Sequence, residues 1–244
     1  MNFKLIIQYD GTRYGGWQRQ KNRQDTIQGK TEDVLSRFFG KKIEISGSGR
    51  TDAGVHALAQ VASFSTDTDK TAGEVLEYLN RYLPDDISVI AAECVPKRFH
   101  ARLCAKEKVY LYRVRNAKKH SVFGRKYETL VKAPLDIEKM KTAAAYFIGK
   151  HDFCAFCSNK HMKKSTVRTI YDINIEKDGD LVEFTYRGNG FLYNMVRIIT
   201  GTMLEVGLGE RNAEEIPQIL LSGNREVAGK TAPAQGLFLK EIIY

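Results

Sequence analysis

The chain has 244 residues, 43% of them hydrophobic, with 38 Lys and Arg against 29 Asp and Glu for a formal net charge of +9. That length and apolar content suit one large or two small globular domains and exclude a disordered or fibrous chain; no apolar run approaches the roughly 18 residues of a transmembrane helix. Four cysteines are too few for a disulfide scaffold at this length, a strand stands where a signal segment would begin, and the basic excess favours a polyanion, so we expect a cytoplasmic protein without a membrane partner.

Periodicity predicts a strand over residues 4–9, a helix over 26–39, strands over 43–46 and 60–65, a helix over 71–82 and a strand over 88–94. Thr26 reads as the first N-cap, with Ile27, Val34, Leu35 and Phe38 on one helix face; the second helix carries Val75, Leu76 and Leu79 and is followed by Pro84. This β-α-β-β-α-β order is the split βαβ, ferredoxin-like plan shared with many RNA-binding sheets. Past a basic bridge near residues 97–108 come a strand (109–115), a helix (137–148) started by Asp136, and two strands (167–176, 181–188) turning at Asp178-Gly179. Helices over 192–206 and 214–221 and a last strand over 237–244 complete the second half. We therefore expect an α+β fold of two ferredoxin-like, RRM-like subdomains, residues 1–105 and 106–244, with antiparallel sheets joined around a central basic cleft.

The connection between the strands at 43–46 and 60–65 holds Asp52 in the run Ser46-Gly47-Ser48-Gly49-Arg50-Thr51-Asp52-Ala53-Gly54-Val55-His56-Ala57. Glycines let a substrate approach, and Arg50 two residues away favours the ionised acid, which makes Asp52 a candidate nucleophile or base. The competing reading is a tight turn with a surface ion pair. A dinucleotide fingerprint is excluded because Asp52 stands where a third glycine is needed. Gly29-Lys30-Thr31 and Gly229-Lys230-Thr231 end like a P-loop, but Gln24 and Asn224 replace its first glycine. His151, Cys154, Cys157 and His161 have zinc-ligand types, yet Phe153, Ala155 and Phe156 interleave them as in a packed core, so no metal is expected. His56, among Val55, Ala57 and Leu58, reads as structural.

Cations cluster beside aromatics: Arg13, Arg19, Lys21 and Arg23 flank Tyr14 and Trp17, and Lys97, Arg98, Arg102, Lys106, Lys108, Arg113, Arg115, Lys118 and Lys119 surround Tyr110 and Tyr112. Such clusters suit phosphate contact and base stacking.

The nine residues Gly49–Ala57 resemble the active-site segment of the tRNA pseudouridine synthase A family. The likeness continues through Tyr9-Asp10-Gly11-Thr12, Gly16-Trp17-Gln18-Arg19-Gln20, Thr26-Ile27-Gln28-Gly29, Phe99-His100-Ala101-Arg102, Lys108-Val109-Tyr110-Leu111-Tyr112, Gly188–Arg197 and Pro233-Ala234-Gln235-Gly236-Leu237. The resemblance implies isomerisation of uridine to pseudouridine in the anticodon stem-loop of tRNA, at positions 38, 39 and/or 40, by a homodimer that needs neither cofactor nor metal. It implies that Asp52 is the catalytic carboxylate, with attack at C1′, addition at C6 and removal of the C2′ proton all open. Arg50 is then the cation beside the acid, Tyr110 the ring against the uracil, Arg197 an ion-pair partner of the acid and Leu237 an apolar wall. The target uridine would be flipped out of its helix. Lys108 stands where some members have arginine, keeping the charge but not the fork, which bears on a narrower target set. The alternative from another class is a non-catalytic RNA-binding module on a ferredoxin-like sheet.

Overall fold

Alternation in the first residues produces a strand with one buried face. In the computed structural model, which describes residues 1–159 and 164–244, β1 (Asn2–Tyr9) buries Phe3, Leu5, Ile7 and Tyr9 and leaves Gln8 exposed. It is followed by α1 (Ile27–Phe39), β2 (Ser46–Gly47), β3 (His56–Ser65), α2 (Ala72–Tyr82) and β4 (Ile87–Cys94). Then come β5 (Glu107–Asn116), β6 (Thr129–Val131), α3 (Ile137–Ala145), β7 (Gly149–Asp152), β8 (Val167–Asp178), β9 (Leu181–Gly188), α4 (Met195–Gly207), α5 (Ile216–Ser222) and β10 (Leu237–Ile243). Helices and mostly antiparallel strands make this an α+β chain, and it divides into two compact units, Met1–Lys106 with Phe238–Tyr244, and Glu107–Leu237.

In the first unit β1 lies antiparallel between β4 and β3. The other edge of β3 is shared: β10 runs parallel to its start (Phe238 opposite His56) and β2 antiparallel to its end (Gly47 opposite Ala62). The Thr26 hydroxyl accepts the Gly29 amide to cap α1, and Thr71 and Glu74 form a reciprocal capping box on α2. The two helices meet through Phe38 and Tyr78, whose ring centroids are 4.4 Å apart. The core beneath α1 is aromatic, with Phe3 stacked on Phe64 at 5.1 Å and Phe39 edge-on to it.

The strand expected over residues 43–46 is confined to Ser46–Gly47. Helix α1 takes the earlier amides instead: the Ile43 amide donates to Ser36 Oγ at 2.9 Å and the Ile45 amide to Glu32 Oε1 at 3.0 Å. With those donors satisfied by side chains, Ile43 and Ile45 are buried without a ladder partner in that stretch.

In the second unit the sheet runs β5-β9-β8-β7, antiparallel throughout, with β6 parallel to β5. The hairpin between β8 and β9 turns where Asp178 pairs with Leu181, and Gly179 supplies the positive φ of 54° that a two-residue turn needs. Helix α4 is buried nearly all round, from Met195 to Gly207, and packs on α3. It starts three residues later than periodicity predicts because Asn194 adopts a left-handed φ of 60°, alone in that region among the described residues other than glycine. Likewise α3 stops at Ala145, where the predicted helix ran on to residue 148.

Candidate active site

The loop that carries Asp52 leads from β2 into β3, and almost every neighbour of the acid is tied to something. The Ser48 amide donates to Val61 O at 2.7 Å and its hydroxyl to Gln60 Oε1 at 2.6 Å, while Gln60 Nε2 donates to Gly49 O at 2.9 Å. Thr51 shares a 2.7 Å hydroxyl hydrogen bond with Tyr9, and its carbonyl accepts the Trp17 amide at 3.0 Å. The Val55 amide closes the turn on Asp52 O at 3.1 Å, with Gly54 at a positive φ of 76°. Asp52 is half-buried on this frame.

The segment after β1 forms the floor. Gly16 has φ 95°, and a Cβ there would stand 2.5 Å from Thr51 O; a Cβ on Gly11 would stand 2.0 Å from Val55 O. Only glycine permits this backbone-to-backbone approach. Trp17 fills the space below, 2% exposed, with its ring against Gly47 and 6.2 Å from that of Tyr9.

Arg50 is exposed, and its Nε donates to Gln18 Oε1 at 3.0 Å. Gln18 Nε2 in turn donates to Gln28 Oε1 at 2.7 Å, and Gln28 Nε2 to Glu32 Oε1 at 2.8 Å. Glu32, buried at 3% exposure, also receives Arg19 Nη1 at 3.1 Å. This chain of side chains ties the Arg50 guanidinium to α1 through Gln18, Gln28 and Glu32. The sequence motifs hold Gln18 and Gln28, but nothing in their spacing marks them as partners, because the link is a contact between a loop and a helix.

His56 is 1% exposed; its Nδ1 accepts the Gly11 amide at 3.0 Å and lies 3.2 Å from Asp10 Oδ1, and its ring stacks on Phe238 at 4.8 Å. These contacts give it an interior role.

The other candidates belong to the second unit. Tyr110 lies on β5 opposite Tyr186, buried at 8% exposure, with Phe191 edge-on at 5.2 Å. Arg197 lies in the first turn of α4; its Nε donates to Ala232 O at 2.7 Å and its Nη1 to Asn194 Oδ1 at 2.9 Å. Leu237 is buried at the end of a short 3-10 turn over Ala234–Gly236. Residues 232–237 contact Arg197 and, on β5, Tyr112: the Tyr112 hydroxyl donates to Pro233 O at 2.8 Å, and a Cβ on Gly236 would stand 2.7 Å from the Tyr112 ring. Helix α4 approaches the same segment closely, since a Cβ on Gly201 would meet Lys230 O at 1.7 Å.

Several expectations about the aromatics change. Trp17 and Tyr112, at 2% and 0% exposure, are interior side chains and not platforms for a base. Tyr14 donates to Asp86 Oδ1 at 2.5 Å, and burial together with that carboxylate raises its pKa; burial likewise raises that of Tyr112. Part of the cation cluster is paired locally, Arg13 with Asp86, Arg19 with Glu32 and Asp33, Arg23 with Asp25, Arg113 with Glu183 and Arg115 with Glu128. Lys97, Arg98, Arg102, Lys106, Lys118 and Lys119 are exposed.

Cys157 is buried beside the core rings Phe153 and Phe156, and Cys154 is exposed. His161 lies outside the described residues. Among the described residues no three His, Cys, Asp or Glu side chains gather as a metal site, and no helix is long and apolar enough to cross a membrane.

A net charge of +9 on an α+β chain suits a polyanionic substrate. The sequence model of the tRNA pseudouridine synthase family matches residues 5–103 and 143–244, and the chain belongs to that family. It is 51% identical over 243 residues to the tRNA pseudouridine synthase A of Bacillus sp. strain KSM-64, covering 100% of this chain and 99% of the relative. A tRNA pseudouridine synthase A 2 of Bacillus cereus is 49% identical, with 99% and 98% covered, and the tRNA pseudouridine synthase A of Acetivibrio thermocellus is 48% identical, with 100% and 99% covered.

Proposed function

We propose that this chain isomerises uridine to pseudouridine in the anticodon stem-loop of tRNA, at positions 38, 39 and/or 40, with Asp52 as the catalytic carboxylate. The observation that carries the reading is the Asp52 loop itself, a half-buried acid on a backbone tied down at Ser48, Gly49, Thr51 and Val55. Such fixing suits chemistry more than a surface turn, because a reacting group must be held within a fraction of an ångström of its target.

The reaction breaks the bond from N1 to C1′ of the ribose, turns the uracil and joins C5 to C1′; the proton leaving C5 balances the one gained at N1. No external reagent is consumed. Asp52 serves as nucleophile or base, Arg50 holds the flipped nucleotide or its phosphate, Tyr110 lies against the uracil, Arg197 pairs with the acid and Leu237 walls the pocket. The reading includes the two ferredoxin-like subdomains and homodimer that the family resemblance implies, a cytoplasmic location, and tRNA held by exposed basic side chains.

Incubating unmodified tRNA with the purified chain and mapping pseudouridine at single-nucleotide resolution tests it. Product confined to the anticodon arm is expected; no pseudouridine anywhere on tRNA would end the proposal. Because several phosphates are neutralised, tRNA affinity should fall at least about a hundredfold between roughly 50 and 200 mM salt. A flat salt profile would show that the exposed lysines and arginines do not hold the substrate. Tyr110→Phe keeps the ring and removes the hydroxyl, so turnover should drop by roughly a hundredfold while affinity stays within a few fold. Single-turnover rates and binding curves on the same tRNA separate the two, and an unchanged rate removes the hydroxyl from the chemistry.

A further inference from the structure

Between β5 and β6, residues 117–128 form a connection whose tip carries Phe123, 92% exposed, beside Val122 at 67%. Phe123 is the most exposed large apolar side chain among the described residues, and nothing in the site above uses it. The loop is built, since the Gly124 amide donates to Ser121 Oγ at 3.1 Å, the Arg125 amide to Ser121 O at 2.9 Å and the Tyr127 amide to Gly124 O at 2.7 Å. Beneath the tip, buried Glu128 receives Arg115 Nε at 3.0 Å and Nη2 at 3.1 Å, and a Cβ on Gly124 would stand 2.9 Å from its carboxyl carbon. The loop therefore closes directly on an ion pair, with the ring held outward.

Its surroundings are cationic. Lys118, Lys119, His120 and Arg125 are exposed, and Arg125 Nη1 donates to Val122 O, which keeps the guanidinium at the tip. No carboxylate lies within ion-pair distance of Lys118, Lys119 or Arg125 among the described residues. An outward ring among cations matches the two faces of single-stranded nucleic acid, a flat base and its flanking phosphates. A second copy of this loop fits worse, because pairing it with itself would set Lys118, Lys119 and Arg125 against the same cations, and lysines are depleted in protein interfaces.

We propose that the 117–128 loop is a tRNA contact made by residues other than those of the candidate site, in which Phe123 stacks on an unpaired base while Lys118, Lys119 and Arg125 hold the adjoining phosphates. The proposal rests on the reading that the chain modifies tRNA. Full-length wild type and Phe123→Ala are compared on one unmodified tRNA for affinity, single-turnover rate at saturating enzyme, and mass by light scattering. Loss of one base stack should weaken affinity about tenfold, with rate and mass unchanged and Phe123→Trp restoring binding. Wild-type affinity in Phe123→Ala overturns the proposal, and so does a fall in mass, which would make the loop a contact between copies. Wild type that modifies tRNA while Phe123→Ala binds normally defeats this inference alone; wild type that neither binds nor modifies tRNA defeats the functional reading with it.

Discussion

Asp52→Asn should abolish pseudouridine formation, by roughly 10⁴-fold or more, while tRNA binding is kept or tightened. The amide has the shape of the carboxylate but is neither nucleophile nor base, so a group that acts on the reacting atoms loses its chemistry and little else. Removing a negative charge from a site that receives phosphates also removes repulsion, which sets the direction of the binding change. The backbone ties of the loop at Ser48, Gly49, Thr51 and Val55 do not involve the substituted side chain. Single-turnover modification and equilibrium binding on the same tRNA check the result. Parallel loss of both would count against Asp52 as the reacting group, and so would retained activity.

Gly16→Ala should cost about 2–4 kcal/mol of stability and most of the activity. Two penalties add at this position: a non-glycine residue at φ 95°, and a Cβ 2.5 Å from Thr51 O and 3.0 Å from Asp52 C. Both contacts are backbone, so relief requires shifting the Asp52 loop itself. Gly40→Ala supplies the control. Gly40 also has a positive φ, 63°, but a Cβ there meets nothing within 4 Å, so about 1–2 kcal/mol is expected with activity intact. Thermal melts and single-turnover rates on the two variants make the comparison. Equal melting temperatures, or wild-type turnover in Gly16→Ala, would show that the loop adapts and that its fixed geometry is not required.

Both predictions draw on contacts that the sequence displays unevenly. The glycine-rich run around Asp52 marks a loop between strands, and its match to a family motif singles out the acid, but Arg50 as the end of a chain through Gln18, Gln28 and Glu32 is visible only once α1 has packed. Trp17 and Tyr14 among arginines read as stacking platforms; packing turns both inward, and Asp25, Glu32 and Asp86 neutralise the neighbouring cations. Short strands such as β6 and β7 escape periodicity because three or four residues define no repeat.

By itself the sequence determined what depends on residues a few positions apart: the caps at Thr26 and Asp136, the buried alternation of β1, and the glycine hairpin between β8 and β9. Tertiary structure alone decided that the last strand of the chain runs parallel to β3, that Ile43 and Ile45 bond to α1 rather than to a ladder, and that Phe123 stands in solvent. The reason is physical. Caps, pleats and turns are settled by local sterics and hydrogen bonds, whereas edge pairing and side-chain burial depend on which distant segment reaches an unfilled donor or surface first.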